Sequence, residues 1–346
     1  TDAIGGVINL ITSKAQKDLS FDSSYKFSSF NTNDLSLNLG TIFNYKHQFN
    51  IYLNSLTSEG YDLIENDFMN TVEPYDRFTG FIRYNYTNEK WTVFSSFRGY
   101  IENQDFRLNE NTYGDNTINE FSLNTSVKYV NNDQLKIIMD NYYTSYNNDE
   151  KLKSNNFDYE ESFFDQSLYK TELRSIFDIN KKNKLIFGIG FSNELLSRNN
   201  FFENQVSQNS SNYFIQYEGF VFENTNYIFG ARYDKYNNYK SVFSPRIALR
   251  TKLKDNVSLK LSFGKGFKTP DFRQLYFNFA NSSSGYSVIG FNAVKEIITN
   301  LQDLNQIANL IISEEEFNGS LKPETSISFN LGINYKPNNK INVDFN

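Results

Sequence analysis

A single histidine, His47, and no cysteine deny this 346-residue chain the side chains that most metal centres and nucleophilic triads are built from. His47 follows Tyr45 and Lys46 in a short polar break, where a solvated turn residue is expected. GKGFKT (264–269) has a superficial likeness to a phosphate loop, but Phe267 stands where a glycine must precede the lysine. Asp and Glu number 40, yet no pair is placed by spacing for acid–base work. No catalytic residue, metal site or cofactor is expected, and the chain does not read as an enzyme. What it does offer is stacking, from 24 Tyr and 34 Phe. Tyr61, Asp62 and Tyr75 share one long connector with Glu65 and Asp67. Tyr113 and Asp115 lie in the next, and Phe157, Tyr159, Phe163 and Phe164 in another. Phe201 and Phe202 follow, then Tyr276, Phe277 and Tyr286. Flat chelates or corrinoid rings stack on such side chains; equally, the rings can pack the connectors against one another. Glu65 and Asp67 lack the ligand spacing of a calcium loop and read as solvated.

The elements carrying these connectors have period two. Phe121, Leu123, Thr125, Val127 and Tyr129 fall on one face, with Glu120, Ser122, Asn124, Ser126 and Lys128 on the other. The same pattern recurs along Leu185–Phe191 and along 325–335. About fourteen such strands are expected, near 19–29, 34–46, 48–57, 76–87, 90–101, 119–130, 134–146, 166–179, 184–196, 211–222, 225–236, 244–253, 257–267 and 323–336; a fifteenth begins at Lys340. Short polar breaks alternate with mostly longer connectors. That asymmetry is expected of a transmembrane antiparallel up-and-down β-barrel, which has short turns on one side and long loops on the other. No run of 18 apolar residues exists to form a spanning helix, and mean hydropathy is -0.57, as alternate lipid-facing residues allow. Arg83, Arg98, Arg174, Arg232, Arg246 and Arg250 fall on the polar face, where a lumen would spare them a lipid-exposure cost of about 2–4 kcal/mol each. Aromatic residues near strand ends, such as Trp91 and Tyr129, fit interfacial girdles. A half-buried antiparallel sheet, as in a β-sandwich, predicts the same alternation.

Helical spacing of Val294, Ile297, Ile298, Leu301, Leu304, Ile307, Ala308 and Ile311 predicts one helix over about 292–313, packed on the outer loops. A net charge of -6, with charges scattered, argues against a nucleic-acid partner.

Three stretches carry a family resemblance: TDAIGGVINLITSK (1–14), SPRIALR with SFGKGFKTPDFRQLYF (244–277), and GSLKPETSISFNLGINY (319–335). Together and in this order they resemble TonB-dependent outer-membrane receptors. The resemblance implies that 1–14, with Asp2, Gly5, Gly6 and Asn9, ends a plug domain. Residues 15–346 would then form part of a barrel of about 22 strands, of which 14 or 15 are present. Thr1 in place of Met reads as a missing front end. The helical stretch departs from the more direct connection of many relatives. The resemblance further implies active import of a scarce bulky solute, such as an iron–siderophore-like chelate, haem or cobalamin, across a Gram-negative outer membrane. The implied partners are the TonB–ExbB–ExbD complex, outer-membrane lipid, a chelated-metal or corrinoid ligand, and, as a further candidate, a surface lipoprotein. A passive channel or adhesin barrel is the alternative.

Overall fold

The computed structural model describes residues 18–64, 68–132, 134–281, 285–338 and 340–346. The expected plug-to-barrel segment with Asp2, Gly5, Gly6 and Asn9 lies outside the described residues, as do Glu65 and Asp67. The strands are β1 (Leu19–Ser28), β2 (Thr32–Phe43), β3 (His47–Ser58), β4 (Tyr75–Thr87), β5 (Trp91–Arg107), β6 (Thr112–Val130), β7 (Leu135–Ser154), β8 (Phe157–Asn180) and β9 (Asn183–Arg198). They continue as β10 (Gln205–Val221), β11 (Thr225–Tyr236), β12 (Val242–Lys254), β13 (Val257–Lys268), β14 (Asn278–Asn281), β15 (Tyr286–Ile289), β16 (Glu324–Asn338) and β17 (Ile341–Phe345). Fifteen of them form one antiparallel sheet in unbroken chain order, β1 to β13 and then β16 and β17, while β14 and β15 pair apart as a small hairpin. This is an up-and-down barrel wall that does not close on itself among the described residues.

Cross-strand register sorts the two faces. Val127, Met139, Leu173, Ile189, Tyr213, Tyr233 and Phe243 lie side by side across seven strands. One residue along each strand, Lys128, Ile138, Arg174, Gly188, Phe214, Arg232 and Ser244 make the adjacent row on the opposite face. The first row is apolar yet open, with Ile189 52% and Tyr213 53% exposed. A sandwich would bury such a row between two sheets; among the described residues none stacks on it. Lipid is the medium in which this sorting is stable, because hydrocarbon covers the apolar face at no cost.

All six arginines singled out above share the polar face. Arg98 meets Glu120 at 2.5 Å, and Arg174 meets Asp140 at 2.6 Å and Glu172 at 3.5 Å. Arg232 grips both oxygens of the buried Asp234 and lies 5.9 Å from the Phe214 ring. Arg83, 7% exposed, sits 5.1 Å from the Phe94 ring. Arg246 and Arg250 are exposed, without an ion pair among the described residues. Half-exposed pairs of this kind contribute under about 1 kcal/mol each; their larger consequence is to hold each strand's polar side in place.

The two ends of the sheet differ. At one end every turn is short, and asparagine builds several of them. The Asn88 Oδ1 accepts from the Lys90 and Trp91 amides, Asn132 from Gln134 and Leu135, and Asn338 from Lys340 and Ile341. The side chain thus replaces backbone partners that a tight turn removes. An aromatic belt lines this end: Trp91 on Tyr129 at 4.5 Å, and Tyr227 on Phe229 at 5.1 Å. His47 belongs to the belt. It opens β3, its Nδ1 lies 2.9 Å from the Tyr84 hydroxyl, and its ring packs on Tyr86 at 4.9 Å, so the expectation of a solvated turn residue is corrected.

At the other end, several expected loops are instead strand. β5 and β6 climb to a turn at 108–111, and β7 and β8 meet at Asn155-Asn156, both with positive φ (53° and 66°) as a tight hairpin turn requires. Tyr113, Asp115, Phe157, Tyr159, Phe163 and Phe164 therefore stand on strands rather than on loops.

The face assignment predicts opposite outcomes for neighbouring substitutions. Ile215→Lys, on the apolar face of β10, is expected to lower unfolding free energy in bilayers by about 2–4 kcal/mol. Gln216→Lys, beside Glu218, should stay within about 0.5 kcal/mol. Urea titrations of both variants check this.

Candidate functional site

The longest connector, 269–323 between β13 and β16, does not hang free. Pro270 leads into α1 (Phe272–Tyr276), whose start is fixed by a reciprocal capping box: the Gln274 amide donates to Asp271 Oδ1 at 2.8 Å, and the Asp271 amide to Gln274 Oε1 at 3.0 Å. The β14–β15 hairpin follows, then α2 (Val294–Asp303) and a 3-10 turn at Glu314–Phe317. The expected helix over 292–313 is thus only half realised. It stops because Asn305 enters the left-handed region at φ 53° and the chain turns away. Leu304, Ile311 and Ile312 are left exposed.

The connector is clasped to the β9–β10 turn. The Phe202 amide donates to the Tyr276 carbonyl at 2.9 Å and the Asn278 amide to the Asn200 carbonyl at 3.0 Å, with Phe201 bridged to Phe277 between them. Around this clasp lies the chain's buried apolar cluster: Leu196, Phe201, Val206, Phe272, Leu275 and Tyr276. Leu196 faces Val206 and Gln166 in register, an even number of residues from Gly188. The cluster therefore roofs the polar face of β8–β10. Gly290 seals it from the far side: its amide donates to the Phe277 carbonyl at 2.6 Å, and a Cβ there would come within 2.5 Å of the Tyr276 nitrogen.

The structure divides the aromatic candidates. Phe201 and Tyr276 are buried in the packed cluster, at 4% and 9% exposure. Phe202 and Phe277 are half-buried beside them, and Phe277 stacks on Phe279, which meets the exposed Tyr286 at 6.3 Å. Four others lie elsewhere. Tyr61 stacks on Phe30 at 4.7 Å, and Asp62 ties its own loop by accepting from the Ile64 amide. Tyr75 opens β4 beside Arg77, and the Tyr113 hydroxyl donates to Asn156.

The residue that sequence reasoning missed is Arg198, at the end of β9. Its guanidinium lies 5.6 Å from the Phe164 ring, 5.4 Å from Phe201 and 5.4 Å from Phe277. Arg273 of α1 lies 5.3 Å from the same Phe277 ring. Burial, and then the charge of Arg273, push the Arg198 pKa down, while burial pushes the Tyr276 phenol up. The motif D-x-x-Q after Pro270 was a readable signal for α1. An arginine three residues ahead of Phe201-Phe202 was a weaker one for the cage. Among the described residues no group of three or more His, Cys, Asp or Glu converges to hold a metal ion. The arrangement sets two guanidinium groups beside aromatic rings.

A family model described as TonB dependent receptor-like, β-barrel, matches residues 12–346. The chain belongs to that family. No curated protein sequence matches it. Among solved structures it is similar to the siderophore receptor PirA from Acinetobacter baumannii, with a TM-score of 0.66 and 16% identity, covering 99% of this chain and 54% of that one. A mutant of the ferric enterobactin receptor PfeA from Pseudomonas aeruginosa gives 0.63 and 14%, covering 96% and 53%. The unliganded ferric citrate transporter FecA gives 0.59 and 14%, covering 96% and 51%. At such identities the likeness shows the fold. The chain spans about half the length of these receptors.

In the receptor, Gly290→Val is expected to open the clasp without disturbing the sheet. Hydrogen exchange at the Phe202 and Asn278 amides should accelerate by at least about tenfold, while amides in mid-β10 keep their protection.

Proposed function

We propose that the chain is the barrel part of an active importer in a Gram-negative outer membrane, ending a plug at 1–14 and forming barrel wall over 15–346. The single observation that carries this is the unbroken sorting of an apolar and a polar face across fifteen strands. The aromatic roof over the polar face at the long-connector end gives it a direction. That end faces the outside, and the belt of Trp91, Tyr129 and His47 marks the periplasmic boundary. Arg83, Arg98, Arg174, Arg232, Arg246 and Arg250 line the lumen and offer hydrogen bonds to a plug.

The solute is a scarce bulky one, of the class of iron–siderophore chelates, haem or cobalamin. Similar folds named as siderophore, ferric enterobactin and ferric citrate receptors support this choice, while a copper transporter and a peptide transporter among them widen it. In this proposal TonB–ExbB–ExbD supplies the energy through the plug, outer-membrane lipid surrounds the wall, and a surface lipoprotein is a further candidate partner. The barrel's own residues bind, orient and exclude; none is asked to do chemistry.

Uptake of a radiolabelled iron chelate by cells carrying the whole gene tests this. Saturable uptake abolished by a protonophore and by loss of TonB is expected. Undiminished uptake in a TonB-null strain would indicate a passive channel instead.

A further inference from the structure

Two guanidinium groups in the roof have no anion to meet among the described residues. Arg198 and Arg273 both lie within 5.4 Å of the Phe277 ring centroid, on a largely apolar cluster. Neither forms an ion pair among the described residues, whereas Arg77, Arg98, Arg174 and Arg232 all do. The Arg198 Nε is shielded from solvent and has no hydrogen-bond acceptor. Besides burial, the Glu203 carboxylate raises the Tyr276 phenol pKa, and it makes no ion pair among the described residues. Two like charges beside one ring repel, and a donor left without an acceptor is costly to bury. Such a pair is stable when an oxyanion completes it, accepting from the guanidinium fork in the plane of its N–H groups.

We propose that Arg198 and Arg273, held on Phe164, Phe201 and Phe277, form a binding site for a multivalent oxyanion, a ligand bearing clustered carboxylates or phosphates. The rings supply rigidity: a guanidinium spread over aromatic faces loses little freedom when it binds. Position decides the source of the ligand. Arg198 is an even number of residues from Gly188, on the polar face, so a lipid phosphate packed against the apolar face cannot reach it. The oxyanion arrives as a solute from the side of the roof. The site deepens the import function proposed above and rests on it for that direction of approach.

The test uses the complete receptor in detergent, with radiolabelled citrate and inorganic phosphate as probes in equilibrium dialysis at low ionic strength. Wild type should bind citrate more tightly than phosphate. R198Q/R273Q should weaken citrate binding by at least about tenfold. R273Q alone, at an exposed position, should weaken it in the same direction without touching the packed cluster. R198K, which keeps the charge but not the fork, should fall between. K181Q, in a short turn at the opposite end, should match wild type. Equal binding by wild type and the double variant would overturn the site, as would failure of wild type to retain citrate at about 1 mM. Dialysis needs no TonB, so the two claims fail separately. Uptake that ignores TonB would sink the import function and leave the oxyanion site standing, and the reverse holds equally.

Discussion

Everything in this structure depends on parity. A strand presents alternate residues to alternate faces, so a register slip of one residue in any strand would turn its charges toward hydrocarbon. Fifteen strands keep one parity across the whole sheet. The register does shift at Leu152/Lys153, Asp178/Asn180, Lys252/Lys254 and Tyr335/Asn338. Each shift lies near a strand end, beyond the rows where the apolar and polar faces are opposed. Mid-strand, ion pairs such as Arg174 with Asp140 and Arg232 with Asp234 tie neighbouring rows together on the polar side. Their energy is small, but they penalise the slipped arrangements heavily, since a charge facing lipid costs several times what an exposed pair gains.

The same constraint explains why the two ends look unlike. At the short-turn end the strands need only reverse, and asparagine accomplishes this in two or three residues by lending its side-chain oxygen to the next amides. At the other end the strands leave the hydrocarbon layer and no longer need an apolar face. They grow into tall polar hairpins, and the chain can spend residues on a roof. That roof holds a buried apolar cluster, built from Leu196, Phe201, Leu275 and Tyr276 and sealed by Gly290. The proposed oxyanion site sits there, among side chains committed neither to lipid nor to the ion-pair rows.

The strands within the lipid layer were legible because each is amphipathic, as Phe121 to Tyr129 shows. Above that layer the signal fails for a physical reason: stretches such as Asn103 to Arg107, or the exposed Phe157 to Glu161, have no hydrocarbon against one face, so no hydrophobic alternation marks them, and they read as loops. The apolar spacing after Asp303 suggested more helix than exists, because periodicity does not register a single left-handed asparagine at 305. Aromatic content could not separate ligand stacking from packing at Phe201 and Tyr276, since both roles call for the same rings. Arg198 went unseen because a cage is made by residues far apart in the chain: Phe164, Phe201 and Phe277.

Spin-label accessibility along β10 tests the central claim most directly. The chain has no cysteine, so single cysteines at 212 through 217 can each be labelled without background. In bilayers, labels at 213, 215 and 217 should collide with dissolved oxygen and be shielded from a water-soluble nickel chelate. Labels at 212, 214 and 216 should behave in the opposite sense. Nickel accessibility that is uniform along the six positions, or shielding from both reagents at 213, 215 and 217, would show that this face does not meet lipid.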